Sequence, residues 1–460
     1  MDKKYFGTGA FYKQAALIAL PVMCQSLIQN LVSLVDQFMV SGLGDVKMAG
    51  VNISGQILFV FMVLLNTICI TGGIFMTQFF GADNKRGMRQ TLCYKLIVSG
   101  VSVIVFMLVC MVFPRPVLSL MVVGNLQADA ILDEGVRYMR VMGLVGVPMI
   151  LANIFASSLR ETGNVKTPLV ISVIATLINT FMNWVLIYGN LGAPRLEVEG
   201  AAYATIIARV CEVALYIAYT SRRPQPFAVS LKDFRTIDWP LFRSILQKGG
   251  MVIFSEMTWV LSETITTALY NSRGGADVVS GMSCSFSIAN LFFVAFSGMT
   301  TATSIIVGKS LGAGKLDQAR QESRWLLTIS LVFGLAMTGV GILTTALVPV
   351  AFASLSLASQ AICRRMVFWM AIFMPAWVYQ NAQFAISRAG GDTMMGVIVD
   401  VVCTVGIAIP AMFYMALCTD LGPVEMYIVV KAVDFIKIAV AWVWLKKERW
   451  VRNLTVGQAQ

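Results

Sequence analysis

Histidine is missing altogether from this 460-residue chain. Its absence removes imidazole proton relays, zinc sites built on imidazole, and Ser-His or Cys-His nucleophilic catalysis. Charge is scarce as well: Asp, Glu, Lys and Arg make up 13% of residues while 57% are hydrophobic. That balance excludes a large soluble enzyme and fits a polytopic membrane protein. The nine cysteines contain no C-x-x-C spacing and lie mostly inside apolar segments, so neither a disulfide framework nor a metal site is indicated. Acidic residues are the rarer sign, 24 against 35 Lys and Arg. The net charge of +11 is not a nucleic-acid signal, because the cations gather in alternate short loops, the pattern that sets membrane topology.

Long apolar runs between Gly, Pro and charged clusters predict twelve helices, each with at least the roughly 20 residues that cross a bilayer. They lie near 14–41, 51–80, 92–113, 130–158, 167–189, 200–220, 248–272, 279–308, 323–350, 361–387, 394–417 and 425–446. Loops on the N-terminal side carry Lys85, Arg86, Arg89 and Lys95, then Arg222, Arg223, Lys232 and Arg235, then Lys309, Lys315, Arg320 and Arg324. The opposite loops hold scattered cations such as Lys47, Arg115 and Arg195. By the positive-inside rule both termini are expected in the cytoplasm, and the protein in the cytoplasmic (inner) membrane. The first apolar stretch is long and lacks a small-residue cleavage site, so it is expected to remain as a helix.

An internal repeat runs through the chain. GLGDVKMAG (42–50) resembles RGGADVVSG (273–281), and QFFGADNKRGMRQ (78–90) resembles KSLGAGKLDQARQ (309–321) at the same offset. RETGN (160–164) answers RAGGD (388–392) at nearly that offset. Shared order and offset point to duplication. Six spans per half is an even number, so both halves enter the membrane from one side as parallel repeats. The expected fold is therefore an all-α polytopic membrane protein of 12 transmembrane helices in two pseudo-symmetric parallel six-helix lobes. The N-lobe is 1–220, a cytoplasmic linker is 221–247, and the C-lobe is 248–460.

Polar residues inside the spans carry the functional reading. In the first span Gln25, Gln29, Ser33 and Asp36 share one helix face. An aspartate at a helix centre costs at least ~2.5 kcal/mol to insert, so this face is expected to look into a protein-lined, wet environment as a proton or cation site. A structural Asp satisfied by neighbouring hydroxyls and amides is the alternative. In the fifth span Ser172, Thr176, Asn179 and Asn183 share a face. Their amides can ligate a hard cation or hold a protonated carboxyl, or else join helices by interhelical hydrogen bonds. The sixth span opens GAAYAT (200–205), with Thr205 polar among small residues. In the seventh, Glu256, Trp259, Glu263 and Thr267 share a face suited to an organic cation through charge and cation–π contact. With few basic residues expected inside the spans, Asp36, Glu256 and Glu263 should set the field met by a substrate. Phe286, Phe292, Phe293 and Phe296, near Met282 and Met299, would form a pliable apolar wall. Arg209 with Glu212, and Lys431 with Asp434, are read as i,i+3 ion pairs; Asp400 has no assigned partner. VGKS (307–310) is not a nucleotide-binding loop, since Thr303 replaces the glycine that motif needs.

Taken together, LVDQFMVSGLG (34–44), QFFGA (78–82), RETGNVKTP (160–168), Asn179 with Asn183, and GAAYAT (200–205) resemble the multidrug and toxin extrusion (MATE) family, in its prokaryotic NorM/DinF-like form, over essentially the whole chain. The resemblance implies a secondary transporter, not an enzyme, that exports amphipathic, cationic drugs or metabolites in exchange for H+ or Na+. It places the N-lobe cation site at Asp36, Asn179, Asn183 and Thr205, with Na+ as the candidate metal at the first three. The seventh-helix glutamate becomes Glu256, whereas the tenth span, 366–387, contains no acid to complete a matching C-lobe site. No organic cofactor, nucleotide or nucleic acid is expected. The partners are a small amphipathic molecule and the lipid bilayer, and the protein is expected to be a monomer. A lipid-linked oligosaccharide flippase of the same superfamily is the alternative; it would require many basic residues facing the pyrophosphate.

Overall fold

Apolar stretches of this length can satisfy their backbone polar groups in lipid only as helices or closed barrels. The computed structural model describes residues 5–119, 128–352 and 355–456, and is helical, with no strand among the described residues. In chain order the elements are α1 (Gly9–Ser41), α2 (Asp45–Gly81), α3 (Lys85–Val112), α4 (Pro114–Ser119), α5 (Ala128–Gly143), α6 (Gly146–Glu161), α7 (Lys166–Tyr188) and α8 (Glu197–Arg222). There follow α9 (Leu231–Arg235), α10 (Trp239–Asn271), α11 (Ala276–Gly312), α12 (Leu316–Ala351) and α13 (Leu357–Ala389). The next span, Met394–Cys418, joins α14 (Met394–Gly396), two π-helical stretches (Val397–Val402 and Thr404–Ala408) and α15 (Ile409–Cys418), and α16 (Pro423–Lys446) follows it.

Among the described residues, nine helices are long and apolar enough to cross a membrane, and the pair α5–α6 makes a tenth. α10 and α16, of 33 and 24 residues, are as long but carry charged side chains midway: Glu256 and Glu263 on one, Lys431, Asp434 and Lys437 on the other. These two complete the twelve spans. The fourth is not the single straight helix expected over 130–158. It bends by 53° between α5 and α6, where Leu144 and Val145 donate to carbonyls three residues back. Pro148 then sits in the first turn of α6, where its missing N–H costs no helical bond.

The repeat is visible in the backbone. Gly163 and Gly391, equivalent residues after α6 and α13, both have left-handed φ, +85° and +72°. Ser54 and Ser285, at equivalent places inside α2 and α11, donate to the carbonyls four residues back, of Gly50 (3.0 Å) and Gly281 (2.7 Å). At the ends of α2 and α11 the two copies meet: a Cβ on Gly81 would overlap the Lys309 carbonyl, and one on Gly312 would overlap the Gln78 carbonyl. No side chain fits at either glycine, because backbone occupies the space.

The chain divides into two compact units, Met1–Met23 with Thr77–Asp83 and Leu246–Gln460, and Cys24–Met76 with Asn84–Ile245. The first has a core of Met366, Met370, Met374, Phe373, Tyr427 and Trp377, with Phe292 inside it and Phe286 packed against it. A second cluster there joins Phe11, Ile306, Ile386 and Ala441. The other unit is held by Leu65, Ile68, Met88 and Leu118, all nearly inaccessible, and by Phe61 stacked on Phe106 at 3.9 Å. The expected linker 221–247 contains α9, opened by a capping box of Ser230 and Asp233, and the start of α10. Gln90 of α3 fixes this segment, donating to Thr236 O at 3.1 Å and accepting from Asp238 N at 3.0 Å.

Candidate functional site

Within the second unit the polar face of α1 lies along that of α7. Gln29 Nε2 donates to Ser172 Oγ at 3.1 Å, and one turn away Ser33 Oγ donates to the Gln29 carbonyl at 3.0 Å. Asn183 Nδ2 donates to Asp36 Oδ1 at 2.6 Å. Asn179, with its amide nitrogen turned toward Asp36 as the network requires, donates to both carboxylate oxygens at 3.0 and 3.2 Å. Its other end faces Thr205 Oγ1 of α8, 3.4 Å away, and Thr205 itself donates to the Ala201 carbonyl at 3.0 Å. So α1, α7 and α8 bring Asp36, Asn179, Asn183 and Thr205 into one cluster.

Two features give this cluster its chemistry. Among the described residues no Lys or Arg pairs with Asp36, so its charge is met only by amide dipoles. Asn183 Oδ1 is buried with no partner. A buried acceptor left open is costly unless something fills it. A carboxylate beside such an acceptor is a fitting place for a small hard cation or a proton. Farther along α1, Gln25 accepts from Arg160 at 3.3 Å. Arg160, in the last turn of α6, escaped sequence reasoning because RETGN (160–164) reads only as a repeat and family motif.

The acids of the other unit are placed differently from expectation. Glu256 is paired with Arg388 of α13 at 2.8 Å, and Glu263 with Lys431 of α16 at 3.3 Å. They are not the uncompensated charges that were expected, because Arg388 near the end of α13 and Lys431 within α16 reach them. Lys431 also stands over the Trp377 ring at 5.1 Å and the Tyr427 ring at 5.7 Å. The expected pair Lys431–Asp434 therefore does not form. Asp434 instead accepts from Trp377 Nε1 at 2.9 Å and pairs with Lys437 at 3.7 Å. Glu263 of α10 draws Lys431 away from Asp434, which is left to Trp377 of α13 and to its other i+3 neighbour, Lys437. The other expected pair, Arg209–Glu212, forms at 2.7 Å. Asp400 accepts from Ser255 at 2.8 Å and lies 3.9 Å from Lys437. Trp259 is 45% exposed, away from the aromatic core around Trp377, and Thr267 is half-buried. Phe286 and Phe292 pack with Phe293 and Phe296, whose rings lie 5.6 and 6.1 Å from that of Trp377.

Twelve spans among the described residues, with amides, carboxylates and ion pairs held inside them, define a multi-pass membrane protein built as a transporter. The MatE family model matches residues 21–185 and 252–414, one match in each half of the repeat. The chain belongs to this family, that of the multidrug and toxin extrusion transporters. It is 23% identical over 450 residues to "Probable multidrug resistance protein YoeA" of Bacillus subtilis, covering 95% of each chain. It is 27% identical over 331 residues to "Multidrug resistance protein MdtK" of Edwardsiella ictaluri, covering 68% of each. Among solved structures it shares its fold with an outward-facing multidrug resistance MATE transporter of the MOP superfamily, at a TM-score of 0.85 and 18% identity over 95% of this chain and 96% of that one. A MATE transporter of Vibrio cholerae gives the same score and identity, over 95% and 97%.

Proposed function

We propose that this protein is an H+- or Na+-coupled antiporter that exports amphipathic, cationic small molecules by alternating access. The observation that carries the reading is the Asp36 carboxylate, which has no cationic partner and stands among the amides of Asn179 and Asn183 beside the open Asn183 Oδ1. The coupling ion would bind there, Na+ between Asp36, Asn179 and Asn183, or a proton on the carboxyl with its O–H directed to an amide oxygen. By linkage, the ion drives export only if its binding and that of the substrate disfavour each other. The relatives named for multidrug resistance support a drug-like substrate. The loop charge bias supports an inner-membrane protein with both termini in the cytoplasm, and in this proposal it works as a monomer without an organic cofactor. The flippase alternative is not carried forward: the relatives are named for multidrug resistance, and Arg388, Lys431 and Lys437 are each paired with carboxylates. The test is efflux from proteoliposomes under separately imposed H+ and Na+ gradients. Export driven by one of them and lost in Asp36→Asn is the expected result; equal export without either gradient would overturn the reading.

A further inference from the structure

Cys284 of α11 and Cys363 of α13 are far apart in sequence, and no spacing rule pairs them. In the fold they lie in one buried cluster with Val348 and Val367, at 4% and 0% exposure. Their thiols are within hydrogen-bonding contact of each other, and the Ser285 hydroxyl is within the same contact of Cys363. Neither thiol takes part in the Asp36 cluster or in the ion pairs of α10, α13 and α16.

The two helices meet at backbone distance here. A Cβ on Gly281, about one turn before Cys284, would stand 2.8 Å from the carbonyl of Ser359, one turn before Cys363. So close an approach is what a disulfide between helices requires, since its two Cα atoms are only about 4.4–6.8 Å apart. Toward the helix ends, Ser356 Oγ donates to Asp277 Oδ1 at 2.6 Å and Ser359 Oγ to the Asp277 carbonyl at 3.1 Å, so hydrogen bonds already hold α11 to α13. The other half of the repeat makes the same contact without sulfur. By the offsets that relate GLGDVKMAG to RGGADVVSG and RETGN to RAGGD, Ile53 stands at the place of Cys284 and Gly135 at that of Cys363. A Cβ on Gly135 would lie 3.2 Å from Ile53 Cδ1. Isoleucine against glycine fills that space, so packing alone does not call for two thiols.

Helices α11 and α13 have 37 and 33 residues, and at ~1.5 Å per residue both outrun the roughly 30 Å hydrocarbon layer. Cys284 is the ninth residue of α11 and Cys363 the seventh of α13, about 9–12 Å from the helix ends. Arg364 and Arg365 follow directly and are exposed, with Arg365 paired to Glu425 at 2.6 Å. Exposed guanidinium groups are disfavoured in hydrocarbon, which sets this level among the lipid headgroups. The topology proposed above makes it the outer face, and the chemistry is the same on either. We propose that Cys284 and Cys363 are a redox site, which a peroxide oxidises to a disulfide tying α11 to α13 and a thiol reductant reopens. Hydrogen peroxide is small and uncharged, so it enters where a protein oxidant cannot. One sulfur attacks a peroxide oxygen, the O–O bond breaks, and the thiol proton joins the leaving oxygen, giving a sulfenic acid and water. The second sulfur attacks the sulfenic sulfur; the S–S bond forms, the S–O bond breaks, and the second thiol proton leaves with the hydroxyl as water. Two thiols and one hydrogen peroxide give one disulfide and two waters, with two electrons passing from sulfur to oxygen.

The test is thiol mapping by mass spectrometry on purified, reduced protein in detergent. Hydrogen peroxide is raised until the exposed Cys24 and Cys418 are oxidised, which shows that the reagent has acted. The protein is then unfolded, labelled with N-ethylmaleimide and digested. Both labels are expected to be lost at Cys284 and Cys363, with a peptide pair joined through them. That pair is lighter than its reduced parts by two hydrogens, and dithiothreitol separates it. Persistence of both labels once Cys24 and Cys418 have reacted, or their loss to sulfinic acid with no joined pair, overturns the proposal. The readout needs no transport, so it stands or falls apart from the Asp36 site.

Discussion

Gly81 lies against the carbonyl of Lys309 so closely that no Cβ fits between them, and Gly312, the counterpart of Gly81 in the other half of the repeat, stands in the same relation to the carbonyl of Gln78. The contact is made by backbone, which cannot yield as a flexible side chain can. Gly81→Ala and Gly312→Ala are therefore expected to lower stability by about 1–3 kcal/mol or more, the usual cost of overpacking. Gly339→Ala, where nothing lies within 4 Å of the added atom, is expected to be neutral or slightly stabilising in its helix. Thermal unfolding in detergent, followed by size-exclusion chromatography, compares the three.

Asp36→Asn is expected to abolish gradient-driven export and leave the fold intact. The asparagine keeps an oxygen to accept from Asn183, but it can neither bind a proton nor supply charge to a metal ion. Substrate efflux from proteoliposomes containing protein that elutes normally on gel filtration is the measurement. Efflux at more than a small fraction of the wild-type rate would remove Asp36 from coupling.

Asn183→Ala is expected to weaken ion coupling more than Glu256→Gln does. Asn183 touches the unpaired Asp36 carboxylate at 2.6 Å, whereas Glu256 is already matched by Arg388 at 2.8 Å. The dependence of export rate on the size of the imposed ion gradient, measured for both variants, separates them. A steeper loss in Glu256→Gln would reverse the assignment.

Lys95 is fully buried, with its ammonium 2.5 Å from Glu161 Oε2 and 3.0 Å from Ser157 Oγ. Removing one partner leaves a charge uncompensated, so Lys95→Met is expected to cost about 3–5 kcal/mol. The double variant Lys95→Met/Glu161→Gln should recover much of that loss, since neither buried charge then remains. Unfolding midpoints of the two single variants and the double, taken as a cycle, give the coupling directly.

A fluorescent monocation is expected to bind more tightly than a size-matched monoanion at high pH, and the preference should shrink as pH falls. The Asp36 carboxylate has no Lys or Arg partner among the described residues and is met only by amides. Protonation removes its charge, and with it the attraction, which is poorly screened away from water. Equilibrium binding to purified protein across pH is the test; tighter anion binding at high pH would contradict it.

The sequence by itself determined the class of this protein. Length and apolar fraction excluded a large soluble protein, the absence of histidine removed imidazole-based catalysis, and runs of about 20 apolar residues in lipid fold as helices. Helix periodicity alone put Gln25, Gln29, Ser33 and Asp36 on one face, and the repeated glycine turns made the duplication legible. These inferences hold because each depends on spacing along a single helix or on composition, both of which are local. Only the tertiary structure decided who meets whom. That Asp36 lacks a cation, that Lys431 reaches Glu263 rather than Asp434, and that Asp400 finds Lys437 all follow from how α10, α13 and α16 pack, or α1, α7 and α8. The bend at Leu144 and Val145 lies among Gly143, Gly146 and Pro148, a local signal the apolar run masked, whereas the π turns at Asp400 are seen only in the structure.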